Sequence, residues 1–216
     1  MDPLPRRIFL VDGPNAAGKS TIVHLLTQLH SGSTVISLHD YFHQHVIRSL
    51  PCDSPLYCKQ NWAALTSETK KHSVAYVASR ERLLIELIRA VKYDSFVVER
   101  GFMTALVYSC LLYGDDPTQM RNSIEEFAAG WTSLQTTMLY ITASPEMLWS
   151  RLEKSHIDRP ERRAAHTPYH LTDRATVQEK HRLYEDLYQR FEGALIRIDT
   201  TELDERGLRQ RLSTFK

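Results

Sequence analysis

Residues 13–21 read Gly-Pro-Asn-Ala-Ala-Gly-Lys-Ser-Thr, two glycines separated by four residues with lysine and serine directly after the second. Glycine accepts positive φ, so a run bracketed by glycines can curl with its N–H groups turned inward, a concave surface suited to phosphate oxygens. A lysine at the end of such a curl reaches the outer phosphates, and a serine hydroxyl suits magnesium. Gly13, Asn15, Ala16, Ala17, Gly18, Lys19, Ser20 and Thr21 are therefore the expected contacts of a nucleoside triphosphate. ATP and Mg2+ are the expected cofactors, with Ser20 as a metal ligand. This meaning requires a strand before the glycines and a helix after them.

Phosphoryl transfer also needs cations around the transferred group and an acceptor oxygen aligned behind it. Glu99 and Arg100 follow the apolar run Phe96-Val97-Val98, which puts an acid and a base together at the end of a buried strand. Glu99 can hold a magnesium-bound water or a substrate hydroxyl, and Arg100 can face transferred charge; a strand-end salt bridge is the plainer alternative. Arg151, Arg159, Arg162 and Arg163 gather in and before an irregular stretch, Ser155 to Tyr169. Closing over the phosphates, such guanidinium groups stabilise developing charge, whereas a solvated basic loop asks less of them. Arg159 is the expected catalytic member and Arg151 a nucleotide contact.

The elements that must position these residues are legible as an alternation. Ile8-Phe9-Leu10-Val11 is wholly apolar, as a central parallel strand is, and stops at Asp12-Gly13-Pro14. Ser20 to His30 carries Ile22, Val23, Leu25, Leu26 and Leu29 at helical spacing. Further strands are expected at Thr34–Leu38, Phe96–Val98, Met138–Ile141 and Ala194–Ile198. Helices are expected at His72–Val91, with Val74, Val77, Ala78, Leu84, Leu87, Ile88 and Val91 on its buried side, and at Thr172–Phe191. A third begins at Ser144-Pro145-Glu146, with an N-cap, a first-turn proline and a first-turn acid. The fold class is α/β: one domain over residues 1–216, three layers of the phosphate-loop NTPase kind, a five-stranded parallel sheet and an arginine-bearing lid near 155–169. Ligands of such folds bind at the carboxyl ends of the strands.

With 42% hydrophobic and 25% charged residues and a formal charge of +1, the chain has no basic excess that would demand nucleic acid or a membrane surface. Cys52, Cys58 and Cys110 form no disulfide or zinc pattern, nor do Cys52 and Cys58 with His39, His43 and His45. A cytoplasmic protein with reduced thiols and no membrane partner is expected. A monomer and a homodimer are both compatible with the sequence.

Taken in order along the chain, these segments resemble the thymidylate kinase and deoxynucleoside kinase group of phosphate-loop kinases. Val74-Ala75-Tyr76-Val77-Ala78-Ser79-Arg80 is similar to the thymidylate kinase helix whose aromatic packs on the acceptor base and whose arginine bonds it. The resemblance implies that Tyr76 stacks on a pyrimidine and Arg80 reads it. Val97-Val98-Glu99-Arg100 resembles the acid–arginine pair of both families, with Arg100 also touching the acceptor. Tyr140 to Glu146, Arg151 and Asp158-Arg159 are similar to the fourth strand, following helix and lid, and Ile198-Asp199-Thr200 to a last strand with an adenine-side loop. The chain departs after strand two. Where thymidylate kinases carry a phosphate-gripping arginine, it has Leu38-His39-Asp40-Tyr41-Phe42. An acid there is similar to kinases of hydroxyl acceptors, so Asp40 is the expected base and Tyr41 a further acceptor contact.

The function implied is transfer of the γ-phosphate of ATP to a hydroxyl of a pyrimidine nucleoside or nucleotide, a small-molecule acceptor. Three alternatives stay open: a kinase of hydroxymethylated pyrimidines in modified DNA, a thymidylate kinase using Arg48 for the missing grip, and a nucleotide-gated binding module.

Overall fold

The computed structural model describes residues 7–30, 33–37, 81–90, 95–113, 121–158 and 173–215. Five parallel strands form one sheet: β1 (Arg7–Asp12), β2 (Thr34–Ser37), β3 (Ser95–Glu99), β4 (Thr137–Thr142) and β5 (Leu195–Asp199), in the order β2-β3-β1-β4-β5. β1 is central and covered on both faces, which is why Ile8 to Val11 tolerates no polar residue. The register pairs Val11 with Glu99, Ser37 with Glu99 and Asp12 with Tyr140. The carboxyl ends of β1, β2 and β3 therefore share one edge.

Alternation along the strands builds two cores. Ile8, Leu10, Phe96, Val98, Met138 and Tyr140 face one side, where residues 81–90 (helical, α2), α3 (Phe102–Tyr113), α4 (Arg121–Ser133) and part of α6 (Arg174–Arg190) pack. Phe9, Val11, Val97, Leu139 and Ile141 face the other, against α1 (Lys19–Leu29), α5 (Pro145–Asp158) and α7 (Glu205–Leu212). The result is the expected three-layer arrangement. α6 starts at Asp173, whose carboxylate accepts from Thr176 N at 2.7 Å, a side-chain cap.

Two sequence expectations need correction. The buried stripe of α2 is Glu81, Leu84, Ile85 and Ile88, while Leu87 is 50% exposed. Glu81 lies on the core side because its carboxylate accepts from Trp131 Nε1 of α4 at 2.9 Å, so a charged residue takes a place that periodicity gives to an apolar one. Residues 155–158, assigned by composition to the irregular stretch, complete α5. The Leu148, Leu152, His156 spacing carries its buried face to the end of the helix, with His156 only 8% exposed.

The corrected stripe of α2 sets an order of stabilities. Ile88→Ala opens a void in a closed core and is expected to cost about 2–5 kcal/mol, whereas Leu87→Ala should cost less than about 1 kcal/mol. Urea unfolding of the two variants checks the order.

Candidate active site

The curl between β1 and α1 depends on three left-handed residues, Gly13 at φ 142°, Ala16 at 64° and Gly18 at 94°. Gly13 has a second, steric reason to be glycine: a Cβ there would lie 2.0 Å from the backbone oxygen of Ile141, which has no room to yield. Gly18 is the N-cap of α1, and the first turn of the helix contains no acid, so its amides and positive dipole end are left to an anion.

Lys19 is 5% exposed and folds over the curl, its ammonium donating to the carbonyls of Gly13 at 2.8 Å and Pro14 at 2.7 Å. Its pKa is held well below the ordinary lysine value, by burial foremost and by the Arg100 guanidinium second, against the upward pull of Asp12 and Glu99. Ser20 Oγ donates to Glu99 Oε1 at 3.0 Å across 79 residues of sequence. A hydroxyl and a carboxylate side by side at the mouth of an anion site are a donor set that magnesium accepts, since this ion takes few protein oxygens and keeps water and phosphate as its other ligands.

The turn after β3 is fixed by a carboxylate that the motif reading passed over. Asp12, 1% exposed at the end of β1, accepts from Gly13 N at 2.8 Å, Gly101 N at 3.0 Å, Thr104 N at 3.1 Å and Thr104 Oγ1. Thr104 Oγ1 gives its proton to Asp12, so it accepts from Tyr184 Oη of α6, 2.8 Å away. Between these anchors Arg100 takes φ 69°, a left-handed conformation costing about 1–3 kcal/mol for a side-chain-bearing residue, with its N–H donating to Val11 O at 2.9 Å. Strain of that size persists where surrounding bonds over-determine the backbone, and Asp12 supplies them.

Arg151 braces the outer wall of the loop. Its Nη1 donates to Thr200 Oγ1 at 2.9 Å and its Nη2 to Thr200 O at 2.7 Å, with a longer bond of 3.4 Å to Ala16 O; Thr200 Oγ1 in turn donates to Ala17 O at 2.9 Å. Lys180 of α6, 1% exposed, donates to Asn15 Oδ1 at 3.4 Å. Burial and Arg100, in that order, hold its pKa well below the ordinary value.

The structure thus brings together Gly13 to Ser20, Glu99, Arg100 and Arg151. Thr21 is exposed in the first turn of α1. Asp40, Tyr41, Arg48, Tyr76, Arg80, Arg159, Arg162 and Arg163, with His39, His43, His45, Cys52 and Cys58, lie outside the described residues. Asp12, Thr104 and Lys180 were not singled out from sequence. Among the described residues no helix is long and apolar enough to cross a membrane.

No protein-family model matches the chain, and no curated protein matches it. Solved structures do. The deoxyadenosine kinase from M. mycoides with bound dATP is similar at a TM-score of 0.57 and 15% identity, covering 96% of this chain and 97% of that one. Its structure with bound dCTP gives 0.57 and 16% over the same shares. The thymidylate kinase from Candida albicans gives 0.60 and 13%, covering 96% of this chain and 89% of that one. The likeness is one of fold and extends over nearly the whole chain, in agreement with the expected fold class.

Two outcomes follow from the site. Asp12→Asn keeps the shape but turns an acceptor into a donor that faces buried N–H groups; a loss of about 1–3 kcal/mol in urea unfolding is expected. The lowered pKa of Lys19 and Lys180 also has a sign. Between their folded values and 10.5 the unfolded chain binds more protons, so stability rises with pH through that window. Urea midpoints of the ligand-free protein measured from about pH 7 to about pH 9.5 should increase.

Proposed function

We propose that the protein is an ATP- and magnesium-dependent kinase that transfers the γ-phosphate to a hydroxyl group of a pyrimidine nucleoside or nucleotide. The observation that carries this reading is the convergence of the curl, Lys19, Arg100 and the Ser20–Glu99 pair at one edge of the sheet. A phosphate loop alone binds nucleotide. A carboxylate and an arginine set against its lysine and serine by the neighbouring strand also provide for charge that moves during transfer.

The roles of the described residues are argued from their positions, and those of Arg159, Asp40, Tyr76, Arg80 and Tyr41 from the sequence. Loop amides and Lys19 hold the phosphates, while Arg100 and Arg159 stabilise charge on the transferred group. Arg151 keeps the wall of the loop in place beside the base. Ser20 and Glu99 would hold Mg2+, which supplies neutralising charge to the phosphates. The acceptor oxygen bonds to the γ-phosphorus as the bond to the ADP oxygen breaks, and Asp40 takes the hydroxyl proton. What supports Asp40 is its place: it follows Ser37 by three residues, and Ser37 is the register partner of Glu99. Tyr76, Arg80 and Tyr41 are assigned to the acceptor base.

Transfer from labelled ATP, screened against nucleosides, their monophosphates and hydroxymethylated DNA, tests the reading, and the expected product is a labelled free nucleotide, the acceptor carrying one more phosphate, rather than labelled DNA. Asp40→Asn should lower kcat by about 10²–10⁴ with little change in ATP affinity. Lys19→Met should lower it by at least about 10². Nucleotide binding without transfer to any acceptor would overturn the assignment in favour of a nucleotide-gated module.

A further inference from the structure

Ala16 and Ala17 carry no side-chain group that could fix the curl, so the orientation of their peptide planes has to come from outside it. Ala16 also holds a left-handed φ of 64°, which a residue with a side chain rarely keeps unaided. Two side chains from distant parts of the chain reach the carbonyls here. Arg151 Nη1 of α5 donates to Ala16 O at 3.4 Å, and Thr200 Oγ1, just past β5, donates to Ala17 O at 2.9 Å. A peptide unit is planar and trans, so its N–H points opposite to its C=O. Drawing Ala17 O toward Thr200 therefore turns the Gly18 amide away from Thr200. Drawing Ala16 O toward Arg151 turns the Ala17 amide the same way, and that amide spans the curl to Pro14 O at 3.4 Å.

The Thr200 hydroxyl has one proton to give. It accepts from Arg151 Nη1 at 2.9 Å, and its oxygen lies 2.9 Å from Ala17 O and 3.1 Å from Thr142 O. Thr142 O already accepts from Thr200 N at 2.8 Å, so the hydroxyl proton goes to Ala17 O. Thr200 is 2% exposed and firmly seated. Arg151 Nη2 donates to its carbonyl at 2.7 Å, and Asp199 Oδ1 closes the following turn by accepting from Thr201 N at 2.9 Å and Thr201 Oγ1 at 2.6 Å. Thr201 Oγ1 in turn accepts from Ser144 N at 2.8 Å, which ties the same turn to the head of α5.

We infer that Thr200 is a positioning residue of the nucleotide site: its hydroxyl, oriented by Arg151, sets the peptide planes that aim the Ala17 and Gly18 amides at phosphate. The inference rests on the nucleotide-binding reading above and adds to it a residue 183 positions beyond the loop it acts on. Thr200 works through the backbone of the curl and touches neither phosphate nor base.

Thr200→Val and Thr200→Ala remove the hydroxyl, and Thr200→Ser keeps it. Mg-ATP and inorganic tripolyphosphate are titrated by calorimetry into the wild type and the three variants, each below its melting temperature, and the Gly18 amide resonance is followed by NMR. Thr200→Val and Thr200→Ala are expected to bind both ligands at least about tenfold more weakly, the effect of losing one charge-assisted amide–phosphate bond, with Thr200→Ser within about threefold of the wild type. The Gly18 resonance of the ligand-free protein should move in Thr200→Val and Thr200→Ala and stay in Thr200→Ser. In the wild type, tripolyphosphate should shift the Ala17 and Gly18 amides; binding that leaves both unmoved overturns the inference whatever the variants do. A merely structural role lowers the melting temperature but leaves the affinity of the folded protein and the Gly18 resonance unchanged, which overturns it as well. A fall confined to Mg-ATP makes Thr200 a base contact instead, and a Thr200→Ser as weak as Thr200→Val takes the role from the hydroxyl. Each of these outcomes leaves the nucleotide site standing, whereas a wild type that binds neither ligand overturns this inference and the site together.

Discussion

The Asp12 carboxylate lies where β1 stops and accepts from the amides of Gly13, Gly101 and Thr104 and from the Thr104 hydroxyl. One pair of oxygens therefore fixes the first residue of the phosphate curl and the turn that carries Arg100. The two segments are 89 residues apart in sequence; the β1–β3 ladder brings the strand ends together, and the carboxylate ties the turns that leave them. Thr104 lies in the first turn of α3, so the same carboxylate also satisfies an amide of that turn, where an anion is favoured by the dipole. The left-handed backbone of Arg100 is held in place by this arrangement. Four hydrogen bonds at a buried carboxylate, each worth about 1.5–3 kcal/mol, comfortably exceed the strain of one residue.

What this scaffold holds in position is a concentration of like charge. Lys19, Arg100 and Lys180 each raise the energy of the others, and burial removes much of the solvent that would screen them. Nearby carboxylates compensate in part, Asp12 and Glu99 acting on Lys19. A fold that sought only stability would place apolar side chains here, as replacement of buried charged groups often shows. Under the proposed phosphoryl transfer the arrangement is preorganisation: the cost of gathering cations is met during folding, so that none would need to be reorganised as negative charge moves.

How far the sequence discloses this depends on the reach of each signal. The curl was legible because its residues are adjacent and of types that only a few conformations need. The inner strands were legible because burial on both faces leaves an unbroken apolar run, as at Ile8 to Val11, whereas the edge strands β2 and β5 keep Val35 and Ile196 exposed and carry a weaker signal. Leu87 was misplaced because periodicity counts apolar residues, whereas the stripe is completed by Glu81, whose burial depends on an indole 50 residues away. Residues 155–158 were misread because Ser, His and Asp are loop-like in composition; the spacing from Leu148 through His156 was the better guide. Asp12 and Lys180 had no local signature at all. An aspartate at a strand end and a lysine within a charged helix are commonplace, and their meaning comes from partners 92 and 165 residues distant.

α6 connects these parts mechanically. Tyr184 donates to Thr104, which donates to Asp12, while Lys180, one turn earlier, donates to Asn15. The phosphate curl, the Arg100 turn and the head of α3 thus share a single helical support. Arg197 of β5 adds a lateral tie by pairing with Glu185 at 2.7 Å, and Glu185 also accepts from Tyr140 of β4 at 2.9 Å. Any rotation of α6 about its axis would shift Lys180 and Tyr184 together and so move the loop and the Arg100 turn in concert. Independent motion would break buried hydrogen bonds. Among the described residues, the curl, the Arg100 turn and the head of α3 are thus held as one unit, the kind of support that keeps a site's geometry fixed.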